Sequence, residues 1–142
     1  MNQSPRREAA LRTILWLALG GWVGAWGFFA FVVSRIAFRI LPGNVVGDLV
    51  GALLHDLHFG GAVAALVTAA CLAGLGHRGW IVGLPLVLGV LSASSEILLS
   101  PAIAAIRPST LGAASTEEIQ TRFRLLHGLS LGLFMSIHLA SI

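Results

Sequence analysis

"TILWLALGGWVGAWGFFAFVV", residues 13–33, carries no charged side chain over the length that the hydrocarbon core of a bilayer demands of a helix, about 20 residues. It follows "MNQSPRREAALR" (1–12), so the order is charged and then apolar, as in a secretory leader. A leader's apolar region ends after about 7–15 residues, and the longer run therefore reads as a retained transmembrane helix. Three further apolar stretches follow, and the spans lie at roughly 11–38, 45–75, 80–106 and 119–142. The connectors are short: "LPGN" (41–44), "GLGHRGW" (74–80) and the polar "RPSTLGAASTEE" (107–118), where Ser115 and Glu118 fit a capping box. The expectation is one all-α domain over 1–142, a four-transmembrane-helix bundle.

Composition agrees. The 142 residues are 56% hydrophobic and 11% charged, against about 25% charged in a soluble domain, and the mean hydropathy is +0.89. All nine basic residues are arginines near helix ends, where they can reach phosphate headgroups. No basic face with interleaved aromatics exists, so nucleic acid is set aside as a partner. The partner expected is the lipid bilayer, with a homo-oligomer as a further one. Arg6, Arg7, Arg12 and Arg78 fall on one side and Arg35, Arg39, Arg107, Arg122 and Arg124 on the other, which gives no orientation by the positive-inside rule. Cys71 reads as a small packing residue. Small residues at spacing four (Gly20 and Gly24, Gly47 and Gly51, Gly128 and Gly132) read as intrachain packing faces, with an oligomer face as the alternative. Trp22 and Trp26 share a face of the first helix, and Trp80 suits the membrane interface. Asp48 is expected to pair with Arg39 near the headgroups.

Against this background "LLHDLHFGG" (53–61) is anomalous, because ionisable groups at mid-bilayer are costly. Counted from the side of the 41–44 turn, His55, Asp56 and His58 lie about 16–21 Å deep, and Glu96 and His127 with Ser130 about 14–18 Å. A common level on three helices is what a single polar pocket produces. Ser92, Ser95, Glu96 and Ser100 form a stripe on the third helix, and Pro101 deprives the carbonyl of Ile97 of its helical donor. Histidine with carboxylate suits a proton relay; the same residues could ligate a metal ion, and a histidine pair could ligate haem. The bland reading is equally weighted: interhelical hydrogen bonds that fix the bundle. His138, near the C-terminus, fits that reading or interfacial exposure. No nucleophile elbow, Walker loop or dinucleotide turn is present, so no catalytic residue is assigned.

"FVVSRIAFRILPGNVVGDLVGALL", "SSEILLSPAIAAIR" and "RFRLLHGLSLGLFM" resemble the transmembrane protein 205-like family of small bacterial and eukaryotic membrane proteins, over about residues 15–135. The matching signature positions are Arg39, Pro42, Pro101, Phe123, His127, Gly128 and Ser130. Some members carry asparagine where this chain has Phe134. The resemblance implies a four-helix membrane bundle, which fits a bacterial inner membrane, and places the emphasis on His127. Through a distant similarity to the CopD copper-resistance proteins and the HemJ-type haem oxidases, it also implies a metal ion or haem as cofactor. Three functions are expected: from the residues, a non-enzymatic membrane protein that binds or passes a proton or metal ion through His55, Asp56, His58, Glu96 and His127, or a structural or assembly subunit; and, as the similarity to HemJ-type proteins implies, a haem-dependent oxidoreductase.

Overall fold

The computed structural model describes residues 4–107 and 116–142, and the described chain is helical with no strand. Four helices are long and apolar enough to cross a membrane: α1 (Pro5–Ile40), α2 (Gly43–Gly74), α3 (Trp80–Ile106) and α4 (Glu117–Ala140). The protein is a multi-pass membrane protein built as an all-α four-helix bundle. α1 begins with Pro5 at its first position, where the missing N–H costs nothing. Its 36 residues span about 54 Å. It ends at Leu41, held extended (φ −105°, ψ 145°) by the steric demand of Pro42. The expected Ser115 cap lies outside the described residues. The cap observed on α4 is Thr116, whose hydroxyl accepts from the Ile119 N–H at 3.4 Å, with Glu117 and Glu118 completing the favourable first turn.

α2 and α3 are antiparallel neighbours joined by five residues, and glycine makes the turn. Gly76 (φ 92°) lies past the end of α2, where its N–H reaches Ala73 O and the His77 N–H reaches Leu72 O, a Schellman closure. The two helices then approach closely. A Cβ on Gly89 would stand 2.9 Å from the Ala65 methyl, and one on Gly61 would stand 2.9 Å from Trp22 Nε1 of α1. These are the close-approach glycines. Gly20, Gly24, Gly128 and Gly132 have nothing within 4 Å of an added Cβ, so their spacing does not report intrachain packing. Of the expected pairs, Gly47 and Gly51 alone receive a neighbour, the Arg107 side chain.

The distribution of side chains is the reverse of a soluble bundle. Trp16, Leu17, Phe28, Leu98 and Trp80 are exposed on the outside, and Trp80 at 75% stands at the start of α3 where an interfacial anchor belongs. The interior holds aromatic rings and polar groups: Trp22, Ala65, Leu88 and Ile137 form one apolar cluster, and Trp26, Phe29 and Phe134 a second. His58, Thr68, Ser92, Ser95 and His138 are buried with them. An apolar surface of this extent is stable only against lipid or another protein. Cys71 is buried, as its packing role requires.

Two helices contain a π turn. In α1 it spans Phe29–Val33, where the Ser34 N–H reaches back to Phe29 O and the Ser34 hydroxyl caps Ala30 O at 2.8 Å. In α3 it spans Ser95–Leu99, with Ser100 between it and Pro101 and the Ser100 N–H on Ser95 O. The carbonyl that proline leaves without a donor thus belongs to a widened turn, and Glu96 sits inside it. Such turns concentrate at functional sites.

Candidate functional site

The helix register builds the site from one latch. At the end of α3, Arg107 Nη1 donates to Gly47 O and pairs with Asp48 Oδ1, both at 2.9 Å. This corrects the expected Asp48–Arg39 pair; Arg39 is exposed, whereas Arg107 crosses to α2 over the bare backbone of Gly47 and Gly51. Eleven residues deeper on each helix, about 16 Å, Glu96 meets His58. Equal counts on two antiparallel helices keep the level, which is why the depths computed from sequence coincide.

Glu96 accepts three hydrogen bonds. His55 Nδ1 lies 2.8 Å from Oε1, His58 Nδ1 lies 3.2 Å from Oε2, and the Ser100 hydroxyl donates to Oε2 at 2.8 Å. Ser100 is four residues after Glu96 and within the turn that the π segment widens. Ser92 fixes His58 from the other direction by donating to its carbonyl at 3.0 Å. The two imidazoles differ in access: the His58 side chain is 1% exposed and that of His55 57%. With Nδ1–H donated to the carboxylate, His58 Nε2 is left as an acceptor, buried and without a partner.

His55, His58, Glu96 and Ser100 line a cleft of about 830 Å³ whose walls are mainly apolar and aromatic, among them Phe29, Phe31, Phe123 and Phe134, with Arg107 also in its lining. His127 and Ser130 line the cleft but bond to none of the three central residues; His127 stacks on Phe123, four residues earlier, at 5.6 Å and 9°. Asp56 is exposed on α2 and absent from the cleft wall, since one residue of helix turns it about 100° from His55. Of the five residues expected together, the structure joins His55, His58 and Glu96, brings His127 to the same cleft, and leaves Asp56 outside. Among the other signature positions, Arg39 is exposed, Pro42 starts α2, Pro101 follows the π turn, and Gly128 packs against nothing.

A second buried centre was not expected. His138 is 0% exposed, not interfacial. Its Nδ1 donates to Phe134 O at 2.7 Å, its ring stacks on Trp26 at 5.3 Å and 7°, and Trp22 meets it edge-on. Phe134 packs against both His138 (4.3 Å) and His58 (5.6 Å), with Phe29 on a further side. The signal available in sequence was the Trp22/Trp26 pair, whose shared face needs a flat partner.

The donors do not converge on a metal ion: His55 and His58 direct Nδ1 at separate oxygens of one carboxylate, and among the described residues no three His, Cys, Asp or Glu side chains are grouped as metal ligands. For a bis-histidine haem, the His58–His138 pair is closed off by Phe134, which packs on both rings. No protein-family model matches the chain, and no curated protein or solved structure is significantly similar to it. The family resemblance therefore rests on the quoted residues alone.

Proposed function

We propose that this chain is a non-enzymatic membrane protein that binds a proton at the His55–Glu96–His58 cluster and passes it from the cleft through the bundle interior to the other side of the membrane. The observation that carries the proposal is the single carboxylate, 11% exposed, held between one accessible and one enclosed imidazole. Imidazole exchanges protons near neutral pH, and a carboxylate between two imidazoles stabilises a proton on either. His55 takes up a proton at Nε2 from the cleft and releases its Nδ1 proton to Glu96; Glu96 hands a proton to Nδ1 of a His58 in its Nε2–H tautomer, and that Nε2 proton is the one given up to the interior. Ser100 and Ser92 hold the acceptor and the second ring in place. The metal version of this function is disfavoured by the divergent donors. The setting we propose is a bacterial inner membrane, in keeping with the quoted resemblance and with a helical rather than a barrel architecture.

The test is proton flux in vesicles carrying an internal pH dye. The wild-type protein accelerates decay of an imposed pH gradient, and Glu96→Gln, with helicity verified by circular dichroism, returns it to the rate of protein-free vesicles. Wild-type flux no faster than empty vesicles, or full flux in Glu96→Gln, refutes the proposal.

A further inference from the structure

Asp56 is the acid that the cluster does not absorb. It is exposed on α2 and makes no hydrogen bond or ion pair among the described residues. Leu49, Phe59 and Val63, which share its face, are also exposed, so a carboxyl group stands in the middle of an outward apolar surface at mid-membrane depth. Hydrocarbon is a poor neighbour for it, and intramembrane acids are found against protein or water. Ala52 and Gly60, four residues before and after, are exposed as well, and a Cβ on Gly60 would meet nothing. The backbone is thus bare on both sides of Asp56, the condition under which two membrane helices approach closely.

Charge complementarity selects the occupant. His55 borders the same face with its side chain 57% exposed, and only Nδ1 is spent on Glu96. His55 and Asp56 differ in height by one residue, about 1.5 Å. Two α2 helices related by a twofold axis along the membrane normal therefore set the acid of each copy beside the imidazole of the other, a self-complementary contact. We infer that the chain forms a twofold dimer through the Ala52/Asp56/Gly60 face of α2, in which Asp56 of each copy shares a proton with His55 Nε2 of the other. A protonated Asp56 donates to a neutral His55, and an ionised one accepts from the imidazolium; one proton serves either state. The contact adds a carboxyl group to each His55–Glu96 pair and occupies the His55 Nε2 that takes up the proton, so in the dimer uptake passes through Asp56 of the other copy; the contact itself does not depend on the proton reading.

Cysteine cross-linking in native membranes tests it. In a Cys71→Ala background, Ala52→Cys and Gly60→Cys under a mild oxidant give a disulfide-linked species of about twice the 14.9 kDa chain mass, and Gly20→Cys and Gly132→Cys do not. Asp56→Ala added to Gly60→Cys lowers the cross-linked fraction several-fold. Cross-linking at Gly20 or Gly132 in place of Ala52 and Gly60, none at any position, or an undiminished fraction with Asp56→Ala overturns the inference. Cross-linking reads contact and vesicle flux reads proton movement, so either proposal can fail while the other stands.

Discussion

Single residues decide how near the helices come. Gly89→Ala adds a methyl 2.9 Å from the Ala65 Cβ, and neither atom can rotate away; the expected loss is about 1–3 kcal/mol, measured as a lower unfolding midpoint in detergent. Gly20→Ala faces open space, and the gain in helix propensity, about 0.8–1.0 kcal/mol, should stabilise or leave the midpoint unchanged. A large loss at Gly20 together with none at Gly89 would contradict the packing described. Phe134 is the other decisive residue, because its ring packs against His58, His138 and Phe29 at once. Phe134→Ala should cost about 3–5 kcal/mol in the same assay, whereas Phe134→Leu, which leaves a smaller cavity, should cost less.

The two π turns behave as units within the helices that contain them. Pro101→Ala restores an N–H where the widened turn of α3 ends, and relieves a substitution that costs a helix interior about 3 kcal/mol. The expected outcome is a protein that melts higher and conducts fewer protons, because a regular turn removes the widened segment that carries Glu96. A variant with regained stability and unchanged flux would detach the π turn from function. The four spans were legible because length and hydropathy alone define a membrane helix, and Glu96 with His55 and His58 was legible because equal residue counts conserve depth. Other features needed coordinates. Asp56 is adjacent to His55 in sequence, yet one residue of helix turns it about 100° off the cleft wall. His138 lies near the chain end, but α4 tilts its ring onto Trp26, which no count along one helix reveals. Arg107 had to be weighed against Arg39 for Asp48, and only the bare path over Gly47 and Gly51 distinguishes them.

For the whole molecule, the latch of Arg107 and the cluster of Glu96 fix α2 and α3 as one unit, against which α1 and α4 close the aromatic interior. The latch itself is weak, since Asp48 is 65% exposed; Arg107→Gln should lower stability by no more than about 1 kcal/mol and leave the cluster assembled. In the proposed function His55, Glu96 and His58 hold a proton as one system. Nitrogen NMR of the two labelled imidazoles in the wild-type protein and in Glu96→Gln tests this most directly. Both Nδ1 resonances should carry the signature of an N–H bonded to one carboxylate, and both should lose it together in Glu96→Gln. Nδ1 resonances of His55 and His58 that Glu96→Gln leaves unaltered would contradict the account.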